Sequence, residues 1–246
     1  LAGGAGAEIL FGGAGSDVIS SGGGSDTLIG GADADSLTGG AGASSLAGDE
    51  GGDTLAGGAG AEVLLGGAGS DVIASGGGAD TLIGGADSDS LIGGAGASSL
   101  AGGDGADTLA GGGGAETLSG GAGQDRLSGG LGADVFVFSA SASTAIARDV
   151  ISDFAAGTDQ ISFGLGMANN GTGPAGFSAA ADVTSFTAAQ AAALTLISAG
   201  TDDVVAVRDT AAVLTYVFAD TDGDNAIDTV LELTGLVTLA QTDFTG

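Results

Sequence analysis

The chain has no cysteine, histidine, lysine or tryptophan, and its only proline is Pro174. Without His or Cys there can be no Ser-His-Asp triad, no thiolate nucleophile and no ordinary zinc site. Without Lys there is no Schiff base. Positive charge is nearly missing: Arg126, Arg148 and Arg208 stand against 31 Asp and Glu, a net charge of −28. Such a chain repels nucleic acid and anionic lipid, which are held through Lys and Arg. No apolar run approaches the ~18 residues of a membrane span, and no charged-then-apolar leader opens the chain. The absence of cysteine fits oxidising surroundings. Because the chain starts at Leu1, inside a repeat, it reads as a fragment or processed form of something longer.

What is abundant is glycine, 54 of 246 residues. Collagen needs glycine at every third position and much proline, and has neither here. Disorder needs low hydrophobicity, whereas 43% of this chain is apolar and its mean hydropathy is +0.42. The glycines therefore belong to a repeated turn in something that folds. From Gly3 to Val137 the chain divides into fifteen consecutive nine-residue units. Gly12-Gly13-Ala14-Gly15-Ser16-Asp17-Val18-Ile19-Ser20 is one, and Gly66-Gly67-Ala68-Gly69-Ser70-Asp71-Val72-Ile73-Ala74 repeats it. Position eight is always apolar, from Leu10, Ile19, Leu28, Leu37, Leu46 and Leu55 onward to Phe136.

This pattern resembles the GGxGxDxUx nonapeptide of the RTX family, a calcium-binding β-helix repeat. The resemblance implies an all-β fold, a right-handed parallel β-roll. Six Gly-rich residues turn, reaching backbone angles closed to other residues. Three residues form a strand whose middle side chain faces inward. Two units close one turn, and turns stack at the ~4.8 Å spacing of strands. Carboxylates at position six then lie one above another, and like charges ~5 Å apart repel by about 1 kcal/mol even in water. Ca2+ between turns, held by both carboxylates and by loop carbonyls, relieves that repulsion and couples folding to binding.

A longer period overlies the nonapeptide: residues 1–54 and 55–108 agree at 45 of 54 positions. Alternate units lie on opposite edges. One edge carries Asp17, Asp35, Asp53, Asp71, Asp89, Asp107 and Asp125 without interruption. The other carries Glu8, Asp26, Ser44, Glu62, Asp80, Ser98, Glu116 and Asp134, a broken series expected to hold fewer ions. The candidate metal ligands are the seven Asp of the first edge with Asp26, Asp80 and Asp134 of the second. The broken series also places Ile9, Phe11, Ile29, Val63, Leu65, Ile83, Val135 and Val137 outward, whereas the intact series shows mainly Val18, Ser20, Ser36, Thr38, Thr54, Ala74, Thr108 and Ser128. An apolar exterior recurring over many turns suggests a contact surface, with copies of the chain itself as the partner through Phe11, Ile29, Leu65 and Ile83. The β-branched preference of strands, or coverage by the C-terminal region, would produce the same pattern.

The chain thus divides into a roll, 1–137, and a capping and C-terminal secretion-signal region, 138–246. Asp149-Val-Ile-Ser-Asp153-Phe154-Ala-Ala-Gly157-Thr-Asp159-Gln-Ile161-Ser162 resembles the segment that closes the roll in serralysin-type proteins, with Ser162 where Asp is common. Asp153 and Asp159 read either as ligands of a terminal ion or as caps of polar turns. Residues 169–175 read as a loop, 184–198 as a short helix, and 204–207, 214–218 and 229–233 as strands. Asp220, Asp222, Asp224 and Asp228 have spacings similar to an EF-hand loop, but Asn225 replaces the central glycine and Leu231 the final acid. A calcium-binding hairpin loop and a plain acidic turn both fit. The apolar and acidic end resembles the uncleaved signals of type I secretion substrates. Its Leu-Thr-Gly-Leu-Val-Thr-Leu run, 233–239, is similar to the ends of Caulobacter-type S-layer proteins.

Two functional readings follow. The first is a calcium-dependent extracellular structural subunit of a Gram-negative bacterium, an S-layer, sheath or filament protein, folding after passage through type I secretion machinery and carrying no catalytic site. The second is the secretion and folding tail of a larger exoenzyme such as a protease, lipase or epimerase. Glycosidase chemistry needs only paired carboxylates, but these acids sit at metal-ligand spacing.

Overall fold

The computed structural model of the protein describes residues 1–138, 148–163, 177–179, 182–197, 204–220, 227 and 229–245. Strand pairing is offset by one constant step: Leu10 lies beside Leu28, Leu28 beside Leu46, Ile19 beside Leu37 and Leu37 beside Leu55. That step is 18 residues, so two nonapeptides make one turn of a parallel β-solenoid. Strands of the odd units, from Ile9–Ala14 to Val135–Val137, form one sheet. Strands of the even units, from Val18–Ser20 to Arg126–Gly130, form the other. Every pair within the repeats is parallel, and the position-eight side chains fill the space between the sheets. Ile19 to Phe136 are buried in an unbroken column, while Leu10, on the first turn, is only partly covered.

The strands are longer than the three residues expected. Most span five or six and run on through the glycine pair that opens the next unit, as in Thr27–Ala32 and Thr81–Ala86. Glycine at position one is therefore an inward-facing strand residue, not part of the turn. A Cβ on Gly66 would collide with Asp71 Oδ2 and lie 2.6 Å from the Gly84 carbonyl of the next turn, and Gly30, Gly48, Gly84 and Gly102 are boxed in alike. The absent side chain is what lets the carboxylate fold inward.

Beyond the repeats both sheets continue. Asp149–Ile151 pairs with Arg126–Gly130, and Gln160–Ser162 with Val135–Val137, after turns lengthened to 24 and 25 residues. Thr229–Thr234, Leu214–Ala219 and Val204–Asp209 extend the even sheet and are joined to one another antiparallel. These strands are buried on both faces. Val204, Ala206, Val217, Leu231 and Leu233 join the roll core, while Val205, Val207, Tyr216, Phe218 and Val230 pack under the helix Phe186–Ile197. Ser185 caps that helix by accepting the Ala188 N–H at 3.2 Å. Arg148 ties the two parts together, stacking 4.0 Å over Phe186 and pairing with Glu232 at 3.7 Å.

Candidate metal centre

The intact edge is a ladder of identical rungs. The backbone N–H of Asp17 donates to Asp35 Oδ1 at 2.7 Å, that of Asp35 to Asp53 at 2.7 Å, and that of Asp53 to Asp71 at 2.7 Å. Asp71, Asp89 and Asp107 donate likewise to Asp89, Asp107 and Asp125 at 2.8, 2.8 and 2.9 Å. The series does not stop with the nonapeptides: Asp125 donates to Asp149 Oδ1 at 2.9 Å. Periodicity does not reveal Asp149 as a rung, because the lengthened turn breaks the 18-residue step.

Each rung uses one carboxylate oxygen and leaves the other. Oδ2 of Asp35, Asp53, Asp71, Asp89, Asp107 and Asp125 is buried and has no hydrogen-bond partner. Orphaned buried acceptors cost about 1–3 kcal/mol each, more when charged. Here they form a row, and from Asp35 to Asp107 each borders the same space over the position-one glycine as the carbonyl of the following turn: a Cβ on Gly30 would meet both Asp35 Oδ2 and the Gly48 carbonyl, and one on Gly66 both Asp71 Oδ2 and the Gly84 carbonyl. Burial, with the neighbouring carboxylates adding to it, pushes Asp71, Asp89 and Asp107 up to about 6 against the pull of their backbone N–H bonds. Burial raises Asp53 and Asp125 as well. The donor set is carboxylate and carbonyl oxygen throughout, which suits a hard cation. Among the described residues no three acidic side chains gather at one point, so backbone carbonyls would have to complete each site.

The same residue type is used differently in the cap. Asp153 accepts from Ser128 Oγ at 2.6 Å and from the Gly129 and Gly130 N–H groups at 3.0 and 2.9 Å. Asp159 Oδ1 accepts from Asp134 at 3.1 Å, while its Oδ2 takes the Ala155 N–H at 2.8 Å. Asp243 accepts from Gly157 and Ala240. Of the two readings of Asp153, the cap is the one the geometry supports. Asp159 is both a rung and a cap.

The second edge is broken as its sequence suggests. Glu8 donates to Asp26 at 2.8 Å, Glu62 to Asp80 at 2.8 Å and Glu116 to Asp134 at 2.9 Å. Asp26 and Asp80 instead donate to the hydroxyls of Ser44 and Ser98, at 3.3 and 3.2 Å. Burial and then the facing Asp80 push Glu62 up to about 6, and burial and then Asp134 push Glu116 up to about 7. Asp220 is buried at the end of its strand. Asp222, Asp224 and Asp228 lie outside the described residues.

The RTX calcium-binding nonapeptide repeat, in its four-copy form, matches residues 2–37, 29–64, 57–91, 65–100, 83–115 and 111–140. Together these segments cover more than half of the chain. The chain belongs to the RTX calcium-binding repeat family. No curated protein matches it in sequence. Among solved structures, the AlgE6R3 subunit of the Azotobacter vinelandii mannuronan C5-epimerase is 27% identical, with a TM-score of 0.46 over 65% of this chain and 78% of that one. The AlgE6R2 subunit is 26% identical, with a TM-score of 0.38 over 72% of this chain and 89% of that one. Among the described residues no helix is long and apolar enough to cross a membrane.

Proposed function

We propose that this RTX chain is a calcium-folded module of a secreted bacterial protein, with no catalytic role of its own. The row of buried, unpartnered Asp Oδ2 atoms supports this reading. Without a cation, six neighbouring carboxylate oxygens lie in a row with no donor. With one between turns, the same oxygens become ligands. Asp17, Asp35, Asp53, Asp71, Asp89, Asp107 and Asp125 would hold the main series, with Asp26, Asp80 and Asp134 opposite. A chain built this way stays unfolded where calcium is scarce, as suits passage through type I machinery, and folds outside the cell. Circular dichroism during a calcium titration tests it. A β-rich spectrum unchanged by excess chelator at low salt would reject it.

The outer face of the odd sheet supports a structural, self-associating role. Phe11, Ile29, Ala47, Leu65, Ile83 and Ala101 stand side by side on adjacent strands. The even sheet also exposes Val18, Val72 and Ile92. There, however, Ser36 and Thr54 separate Val18 from Val72. The continuous stripe would meet its equal on another copy once calcium has offset much of the −28 charge. Leu65→Asp with Ile83→Asp should abolish assembly, seen by light scattering and electron microscopy in saturating calcium, and leave the fold intact. Assembly like that of the parent would favour the alternative function, the tail of an exoenzyme.

A further inference from the structure

The second edge is not a weaker copy of the first. In thirteen of the fifteen units position one is glycine, and the exceptions are Ser21 and Ser75. Both are buried and face inward, in the units of Asp26 and Asp80. Ser21 Oγ donates to the Gly39 carbonyl at 2.5 Å, and Ser44 Oγ donates to the same oxygen at 3.1 Å. Three turns later Ser75 Oγ donates to the Gly93 carbonyl at 2.5 Å, and Ser98 Oγ lies 3.4 Å from both the Gly93 and the Gly96 carbonyls, its one hydrogen shared between them. At the equivalent points of the Asp edge the carbonyl of the next turn borders the same space as a bare carboxylate oxygen. The Ser21 and Ser75 hydroxyls here stand between the turns and take up the carbonyl that the Asp edge leaves beside a bare glycine.

Between these closures the situation reverses. Glu62 is 2% exposed, and although the Gly58 and Gly60 backbones and the Asp80 carboxyl lie near it, neither of its carboxylate oxygens makes a well-formed hydrogen bond. Asp80 Oδ2, one turn on, has none either. Glu116 Oε1 accepts the Gly114 N–H at 2.8 Å, leaving Oε2 and Asp134 Oδ2 buried and bare. Glu8 Oε2 and Asp26 Oδ2 are also buried without a hydrogen bond at the open end of the roll, although Glu8 is only half-buried and its backbone N–H, with the Ser21 hydroxyl, holds Asp26 below its ordinary value.

We propose that Glu8 with Asp26, Glu62 with Asp80, and Glu116 with Asp134 are three discrete divalent-cation sites, separated by serine-closed gaps at Ser21/Ser44 and Ser75/Ser98 that take no ion. Glutamate is thus a ligand on this edge, not a tolerated substitute for Asp. Its longer side chain brings both oxygens into the interval, as Glu62 shows. Because each pair is isolated by a gap, it loads independently of the others, whereas neighbouring intervals of the Asp edge share carboxylates and load together. This inference rests on the calcium-folding reading above and adds the composition of the second edge.

The test counts bound calcium by equilibrium dialysis and metal analysis at saturation, with circular dichroism recorded on the same samples. Glu62→Gln with Glu116→Gln should remain β-rich in calcium and bind about two ions fewer than the parent. Ser75→Gly with Ser98→Asp rebuilds the chemistry of the Asp edge in a gap and should bind at least one ion more. A folded Gln variant with the parent's count, or a folded gap variant with no added ion, would overturn the proposal. If the parent itself neither binds calcium nor folds with it, the reading of the Asp edge has failed, a distinct result.

Discussion

Replacing Asp71 by Asn should change stability in opposite directions with and without calcium. In the metal-free roll Asp71 is flanked at one turn on either side by Asp53 and Asp89. At the ~4.8 Å turn spacing each like-charge pair costs about 1 kcal/mol in bulk water and about 3.5 kcal/mol at an effective dielectric constant near 20. Removing one charge relieves two such pairs, so the metal-free roll gains roughly 2 to 7 kcal/mol, toward the lower figure where water reaches the edge. Asn keeps the Oδ1 that accepts the Asp53 N–H, so the rung itself survives. With calcium the sign reverses, because a charged ligand becomes a neutral amide whose nitrogen cannot coordinate. The expected result is a more β-rich chain in chelator, a higher calcium midpoint for what remains, and lower stability in saturating calcium. Urea unfolding followed by circular dichroism, with and without chelator, measures both. Equal destabilisation in the two conditions would refute the repulsion argument and make Asp71 an ordinary turn-capping residue.

Acid should partly replace calcium: Asp71, Asp89 and Asp107 are raised to about 6 in the folded chain against about 3.9 unfolded. Folding then binds protons, so the metal-free roll is most stable below about pH 4 and loses that stability as pH rises through about 6; a chelated chain with no more β structure at pH 4.5 than at pH 7.5 would contradict this. Gly66→Ala should destabilise the calcium form by about 1–3 kcal/mol through overpacking, while Gly23→Ala, where a Cβ meets nothing within 4 Å, should be nearly silent in urea unfolding. Leu82→Ala, in the middle of the buried column, should cost about 2–5 kcal/mol, and Leu10→Ala on the partly covered first turn clearly less; equal costs would argue against a continuous core.

The periodic features were legible because the physics they obey is itself periodic. An apolar residue at every ninth position and an acid at every eighteenth admit few arrangements, and Leu28 beside Leu46 or Asp35 above Asp53 follows from spacing alone. What spacing misses is direction. Glycine at position one looks like turn material, yet Gly66 faces the core, because a residue without a side chain leaves no mark in an apolar–polar pattern. Asp149 escaped for a different reason: the turn before it is longer, so its place above Asp125 depends on strand pairing that the period does not carry. For Asp153, outside the repeats, sequence left a ligand and a cap equally open, and only its donors, Ser128 and the Gly129 and Gly130 N–H groups, separate it from the bare carboxylate of Asp71. Ser21 and Ser75 could have been found, since they are the two departures from glycine at position one, but a serine there reads as one more turn residue until its hydroxyl is seen against Gly39.

The 54-residue duplication gains a physical reason from these details. A solenoid needs only an 18-residue repeat to stack, and selection for stacking alone would leave no three-turn register. Yet three features keep that register together. The serine closures recur from Ser21/Ser44 to Ser75/Ser98, the Glu–Asp pairs from Glu8/Asp26 to Glu62/Asp80, and bulky outward residues from Phe11 and Ile29 to Leu65 and Ile83. All belong to the odd units, the second edge and the sheet it feeds. The other edge, which carries an Asp on every turn, has no three-turn pattern at position six. The even units keep the register too, in Val18, Ser36 and Thr54 against Val72, Ser90 and Thr108, but at position six only the second edge varies with it. An unbroken ladder maximises the coupling of folding to cation binding, for which every rung is equivalent. A patterned edge places charge and its neutralisation at fixed intervals beneath an apolar face whose bulk varies with the same period. A surface in register with a repeating partner would show that correlation, and the Leu65→Asp with Ile83→Asp variant tests whether such a partner is another copy.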